Sequence, residues 1–540
     1  MTISLPYEVV YIIWKIQTAG FDTYVVGGAV RDILLQTLIT AQNKTPEHLN
    51  INDYDFTTNA TPQQIQQIFD DSYYTNEFGT VGIAYSNLLA EMVAAGYQLP
   101  NTNIKSRLVK PIKKNKIIDL AAASKIHESL RSQIDQYQID QKNTKLQPTP
   151  FEITTYRSDG LYSDFRRPDK IEWGQSIEQD LERRDFTINA MALTIEPNLL
   201  TTIFNSKQIN HSLINVKTEE FKLVDLHHGL KDLAKKQIKT VRNPDERFKE
   251  DALRMLRAIR LACQLQFELD PLTQASIAHY AHLIQKISWE RIKQEFLKIM
   301  TTSQPDRGIN LLDETGLLAH IMPELQAMKG VEQGGHHDTD VWTHSLDSLK
   351  HCPSKDPIVK LATLLHDVGK PATKHAKNGG VTFYNHEIVS SRLASKIGKR
   401  LRLSNQEREK LFRLVRHHMF YYQPYQTDTA IRRMIKRVGL NYIDDILDLR
   451  EGDRLGSGAR QTSWRLEEMK QRIIEQLNQP LAVTDLAING HSLMTELQLK
   501  PGPILGKILD ELLEKVLENP ELNTKEKLLS AAKKIIAVKT

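Results

Sequence analysis

Apolar positions follow two spacings along this chain, and each change of spacing marks a new element. Residues 7–20 repeat them at helical intervals and stop at Gly20. FDTYVVGGAVRDILL passes from a short β-rich run through a glycine pair into a helix starting near Ala29. INDYDF alternates like a strand, Thr61-Pro62 opens a helix, and GTVGIAY (79–85) reads as a strand. From about Asn87 to Pro150 the pattern is polar and irregular. Alternation returns in FEITTYR (151–157), and ERRDFTINAMAL (182–193) suits a turn feeding a buried element. From about 246 helical spacing dominates. ERFKEDALRMLRAIRLACQL reads as a helix with an apolar face and with Asp251, Arg254 and Arg257 at three-residue steps on another. A second helical region, 340–460, holds many histidines; the tail after 460 is helical, broken at Asn489-Gly490 and at PGP (501–503).

This order predicts an α+β protein: a small mixed sheet with flanking helices, then an all-α remainder. A chain of 540 residues exceeds one core, since cores stop growing at roughly 250–300 residues. Four regions are expected: a head, 1–200, interrupted by an insertion at 87–149; a helical region, 201–335; a histidine-rich region, 336–460; and a tail, 461–540.

Composition adds little. The net charge of +5, from 71 Lys+Arg against 66 Asp+Glu, permits nucleic-acid binding without arguing for it. The local signal is KSRLVKPIKKNK (105–116), with six Lys/Arg and no acid, which is either a solvated spacer or a phosphate-contacting loop. Two separated cysteines, Cys263 and Cys352, make neither a disulfide framework nor a thiolate cluster and suit a reducing compartment. No apolar stretch approaches the ~20 residues that span a bilayer, and the start lacks an export-signal pattern, so a cytoplasmic protein with no membrane partner is expected.

The first candidate chemistry is a pair of carboxylates. Asp53 and Asp55, two apart on a strand, point to the same face and can share divalent ions, as two-metal phosphoryl transfer requires. Taken alone, the spacing is more often that of a solvated strand end. The context adds weight: Gly27-Gly28 precede a helix start suited to phosphate oxygens, Arg31 lies in its first turn, and Asp32 can pair with that arginine. Glu152 on FEITTYR is the candidate third carboxylate, and Arg183-Arg184-Asp185 stand ready for phosphate contact.

The ordered set GGAVRD, DYDFTTNATP, FEITTYR, RRDFTINAMAL, DLHHGLKDL, VRNPDERFKEDALRMLRAIR and ERIKQE resembles the class II tRNA nucleotidyltransferases and bacterial poly(A) polymerases. The resemblance covers residues 21–300 apart from the insertion and implies a head related to polymerase beta. It implies Mg2+ on Asp53 and Asp55, Glu152 beside them, and Gly27, Gly28 and Arg31 near the triphosphate of ATP or CTP. Arg184, Asp185 and Asn189 would handle ribose and phosphates. Asp225, Gly229 and Asp232 match a motif linked to head movement. Glu250-Asp251 with Arg254 match an element whose Asp and Arg read the base edge. That role is chemically sound: a carboxylate accepts from the exocyclic amine of C or A, which U and G do not offer in the same place. A salt bridge between Asp251 and Arg254 is the plainer reading of the same spacing.

The second candidate chemistry lies in 336–453. His344, His366-Asp367 after an apolar helix, and Asp453 form a mixed His/Asp set suited to a borderline or hard divalent metal. With HDVGKP this region resembles the HD superfamily of metal-dependent phosphohydrolases, in which these residues match the ligand positions and His386 and His417 match accessory positions of two-metal members. The resemblance implies a second divalent metal of unspecified identity and a phosphatase or 2′,3′-cyclic phosphodiesterase activity on RNA ends, a structural relic being the alternative. The expected function is template-independent CCA addition to tRNA. A poly(A) polymerase, a partial CC- or A-adding enzyme, and an HD-type RNA phosphohydrolase are the alternatives. The poly(A) reading calls for an Arg-rich block where this chain has DDSYYTNEFGTVGIAY.

Overall fold

The computed structural model describes residues 2–41, 51, 53–76, 79–99, 150–159, 171–174, 176–209, 211–333, 339–377, 380–420, 422–459 and 463–539. The basic run 105–116, with Lys105, Arg107, Lys110, Lys113, Lys114 and Lys116, lies outside them, as does most of the expected insertion. The chain forms two compact units, Met1–Arg254 with Phe267–Ser276, and Met255–Gln266 with Ile277–Thr540.

The first unit is built on a seven-stranded mixed sheet. Its spatial order is Phe221–Val224, Ala192–Ile195, Thr23–Val26, Asp55–Thr58, Phe151–Thr155, Thr80–Ile83, Ser72–Asn76. Neighbours are antiparallel except Asp55–Thr58 and Phe151–Thr155, which run parallel. The strands TYVV, TVGI and ALTI are buried at every position, which explains their β-branched content and their weak alternation. Helix Tyr7–Thr18 packs Trp14 on Phe204, with ring centroids 5.1 Å apart, and Tyr11 edge-on to the same ring. Thr61 opens helix Pro62–Ile68 through a capping box with Gln64.

Three local expectations are corrected. The strand carrying the carboxylates starts at Asp55, so Asp53 precedes it rather than lying within it. The stretch after Asn87 begins inside a helix, Tyr85–Ala94, which buries only Leu88 and Met92, one turn apart; apolar Leu89 and Val93 lie off that face and no side chain caps the start, so the pattern is blurred. The expected helix through ERFKEDALRML is two helices, Pro244–Glu250 and Leu253–Leu265. Asp251 between them is extended (φ −143°, ψ 104°), and its carboxylate accepts the Leu253 N–H at 3.0 Å, capping the second helix.

Among the described residues, the second unit is helical apart from the small hairpin His375–Lys377 and Gly380–Thr382. Helices Val341–His351 and Ile443–Gly456 pack along each other, and Pro357–Leu365 is buried from Ile358 to Leu365. The tail is fastened to this bundle: Arg432 donates to the Leu517 carbonyl at 2.8 Å and to Gln476 Oε1 at 2.6 Å. No helix among the described residues is long and apolar enough to cross a membrane.

Candidate active site and metal centre

In the first unit the sheet itself assembles the carboxylates. The parallel register pairs Asp55 with Glu152, setting them side by side on strands whose usual spacing is about 4.8 Å. Asp53 is exposed two residues before the strand's first residue, Asp55. Burial pushes the Asp55 carboxyl up to about 6; the charges of Asp53 and Glu152 add to this and Arg184 opposes it. Glu152 is raised by burial and by Asp53. Three carboxylates thus gather where one arginine cannot offset them, and oxygen donors in excess of positive charge are the environment a hard divalent cation requires.

The glycine turn borders this cluster. Gly27 has φ +75°, and a Cβ there would stand 3.2 Å from Arg184 Nη1 and 3.8 Å from Asp55 Oδ2. Gly28 starts the helix Gly28–Ala41, whose first-turn N–H groups lack intrahelical acceptors. Arg31 is buried rather than presented to solvent. It gives Nε and Nη2 to Asp32 at 2.7 and 2.9 Å and Nη1 to Asn189 Oδ1 at 2.9 Å, bracing the turn against the short helix Thr187–Asn189.

Asp185 is buried and accepts the Phe186 N–H at 2.9 Å. Asp225 receives the N–H groups of Gly229 and Leu230 at 2.6 and 3.0 Å, and Asp232 receives the Thr187 hydroxyl at 2.8 Å. The 225–232 motif therefore grips the segment holding Asp185 and Asn189. Arg254 is buried, pairs with Glu250, and donates to the carbonyls of Arg247 and Arg183 at 3.1 and 3.3 Å. Arg247, which the sequence did not single out, donates to Glu250 Oε2 at 2.7 Å and to the Glu182 carbonyl at 2.9 Å. Asp180 was also missed. Fully buried, it holds Arg183 and Arg184 together, and its i, i+3 and i, i+4 spacing to them was the available signal.

The second unit gathers six of its His and Asp side chains into two groups, His344 with His366 and Asp453, and Asp367 with His386 and His418. Asp367 joins them. Its Oδ2 lies 3.1 Å from His366 Nε2 and 3.6 Å from His344 Nε2, while its Oδ1 lies 3.2 Å from His386 Nε2 and 3.7 Å from His418 Nε2. Asp453 Oδ1 reaches His344 and His366 at 3.2 and 3.6 Å. The Nδ1 atoms of His366, His386 and His418 sit 2.7–2.8 Å from the carbonyls of Thr363, Phe383 and Val415. A carbonyl cannot donate, so each Nδ1 carries the proton and each Nε2 turns a lone pair inward.

The Nε2 atoms nevertheless stand 3.2 Å apart in His344–His366 and 3.3 Å apart in His386–His418. In the His386–His418 pair, where both Nδ1 atoms carry the proton, the facing Nε2 lone pairs need a positive charge between them. Without metal, a proton serves the other pair: burial disfavours the His366 cation, yet Asp367 and Asp453 push its pKa up to about 10. The donor set fits two divalent ions. His417, the expected accessory residue, is not in either group; half-buried near Arg416, Arg437 and Arg413, it is pushed down to about 4, chiefly by burial. Its neighbour His418 takes that place because it continues the buried row Leu411, Leu414, Val415 at helical spacing.

Comparison with known proteins bears on these arrangements. Residues 23–107 and 108–239 match the poly A polymerase head domain, residues 266–329 a probable RNA and SrmB-binding site of polymerase A, and residues 389–532 a putative second domain of tRNA nucleotidyltransferases. An A-adding tRNA nucleotidyltransferase of Deinococcus radiodurans is 30% identical over 354 residues, covering 63% of this chain and 75% of that protein. The chain belongs to the tRNA nucleotidyltransferase family. A CCA-adding enzyme of Ligilactobacillus salivarius is 28% identical over 536 residues, 98% of this chain and 96% of the relative. The structure of the Bacillus stearothermophilus CCA-adding enzyme in complex with CTP shares the fold, with a TM-score of 0.61 and 21% identity over 99% of this chain and 98% of that one. In this tRNA nucleotidyltransferase the head-domain match spans the glycine turn and the carboxylates Asp53, Asp55 and Glu152.

Proposed function

We propose that this tRNA nucleotidyltransferase adds C and A to the 3′ end of tRNA from CTP and ATP without a nucleic-acid template, in the cytoplasm. The observation that carries this is the register pairing of Asp55 with Glu152, next to Asp53 and the Gly27 turn. Full-length likeness to CCA-adding enzymes supports C and A as the nucleotides. Asp53, Asp55 and Glu152 would hold Mg2+, which supplies activation of the attacking 3′ oxygen and charge stabilisation at the leaving pyrophosphate. One phosphodiester bond forms as one phosphoanhydride bond breaks, and the hydroxyl proton leaves to solvent. The Gly27-Gly28 turn and Arg184 would bind the triphosphate, with Arg31 and Asn189 bracing the turn. Asp251 and Arg254 would read the base edge. Incubating the protein with tRNAs ending before C, CC and A, with each NTP alone and mixed, and sequencing the products tests this. Addition of C alone or of A alone would assign a partial enzyme, and a run of A a poly(A) polymerase.

A second activity is favoured by the two ligand groups that share Asp367. We assign them to an HD-type dinuclear phosphohydrolase centre acting on phosphate esters at RNA ends. His344, His366, Asp367 and Asp453 would hold one ion, and Asp367, His386 and His418 the other. Release of phosphate from small phosphoesters, or opening of 2′,3′-cyclic nucleotides, by wild type and not by Asp367→Ala tests this; a wild-type protein that takes up no metal would leave the centre a structural relic.

A further inference from the structure

We propose that Asp180 is a positioning residue for nucleotide binding: it holds the Arg184 guanidinium at the Gly27 turn so that the arginine meets the triphosphate of the incoming nucleotide. The proposal rests on the functional reading of that turn given above.

Asp180 is fully buried in the helix Ile177–Glu182. Its Oδ1 accepts from Arg183 Nε at 2.9 Å and Nη2 at 2.6 Å, and its Oδ2 accepts from Arg184 Nη2 at 3.1 Å. One guanidinium would neutralise a buried carboxylate. This one has two, so the triad keeps a net positive charge at a fixed place. The two arginines differ in what remains to them. Arg183 spends two nitrogens on Asp180, and its carbonyl accepts from Arg254. Arg184 spends one terminal nitrogen on Asp180, and its Nη1 lies 3.2 Å from the place of a Gly27 Cβ. Its buried Nε–H has no hydrogen-bond partner. A partly exposed arginine with unspent donors beside a turn that has no side chain is arranged for an anion bearing several oxygens, such as a polyphosphate.

The opposite flank is gripped as well. The carbonyls of Glu182 and Arg183, immediately before Arg184, accept from Arg247 and Arg254. The backbone is thus set from one side and the guanidinium from the other; among the described residues Asp180 is the acid in ion-pair contact with Arg184, while the Asp55 charge acts on it from farther off. Loss of its charge would leave Arg184 in place along the chain but not in direction.

The test compares wild type with Asp180→Asn, Arg184→Ala and the double variant, reading kcat/KM for CTP on tRNA lacking CCA and the Kd for that tRNA, with melting curves for each protein. Asp180→Asn is expected to lower kcat/KM roughly tenfold or more, a charge-assisted hydrogen bond's worth, with tRNA affinity unchanged. Because Asp180 acts through Arg184, the double variant is expected to match Arg184→Ala alone. Additive losses, a parallel loss of tRNA affinity, or no loss would overturn the proposal. If Asp180→Asn does not fold, Asp180→Glu, which keeps the charge and displaces it by one methylene, reads the same coupling. Wild-type protein that incorporates no CTP, or incorporates it equally well as Asp53→Ala, would refute the functional reading instead.

Discussion

His386 and His418 face each other nitrogen to nitrogen, Nε2 atoms 3.3 Å apart, with both Nδ1 atoms turned to backbone carbonyls. His344 and His366 likewise stand Nε2 to Nε2 at 3.2 Å, with the His366 Nδ1 turned to the Thr363 carbonyl and Asp367 between the pairs. Elemental analysis of protein loaded with divalent metal and then desalted should give two ions per chain in this centre, counted apart from any held by Asp53, Asp55 and Glu152. His418→Ala should retain one, His417→Ala two, and Asp367→Ala none. Two ions retained in His418→Ala would break the ligand assignment. Nucleotide addition should persist in all three.

Asp55 carries a pH prediction. Its folded pKa, about 6, lies above the ordinary 3.8, so the metal-free folded state binds its proton more tightly than the unfolded chain does. Stability should therefore fall as pH rises from about 4 to 6, by an amount on the order of 2–3 kcal/mol. Asp55→Asn should melt higher than wild type at pH 7 in chelator, while losing nucleotide addition. Added Mg2+ should raise the wild-type melting temperature and not that of the variant. Equal melting of the two metal-free proteins at pH 7 would contradict the crowding of charge at this site.

The residues carried the identity of the carboxylates and the family resemblance their nearness, while the strand register that pairs Asp55 with Glu152 came from the structure. Asp55 and Glu152 could be named because each lies on an alternating segment, yet nothing local fixes which strands become neighbours. Their parallel pairing is a tertiary fact. The break at Asp251 was hidden because EDALRML keeps helical spacing across it, and the cap that stops one helix and starts the next is a side-chain contact. His417 and His418 were a choice between adjacent residues. The phase of Leu411, Leu414 and Val415 contained the answer, whereas a motif match did not weigh it.

Gly229 tests the grip on the 185–189 segment. A Cβ there would meet the Thr187 carbonyl oxygen at 2.2 Å, with backbone on both sides of the clash. Gly229→Ala should destabilise the first unit by about 1–3 kcal/mol and sharply reduce nucleotide addition. A melting curve and an incorporation assay check both, and wild-type behaviour in the two would show that the motif has slack.

Base choice should respond to Asp251→Asn more cleanly than to Asp251→Ala. Asp251 also caps the helix Leu253–Leu265, and asparagine preserves that cap while alanine removes about 1 kcal/mol of it. An amide can turn its NH2 toward a carbonyl of U or G. Discrimination against UTP and GTP, measured as ratios of kcat/KM, should thus fall about tenfold or more, within the ~1–3 kcal/mol of a good base contact. Unchanged ratios with normal turnover would reject base reading by this residue.

The strand order has a consequence for how the protein is made. Thr23–Val26 lies near the middle of the sheet, yet one of its neighbours, Ala192–Ile195, is synthesised some 170 residues later, at roughly 5–20 residues per second. Asp55–Thr58 likewise waits for Phe151–Thr155. Until those segments leave the ribosome, apolar strands that end in the interior of the sheet have open backbone edges, the state most prone to pair with another chain. Chains truncated before Ala192 should therefore accumulate as aggregates rather than as a soluble partial head.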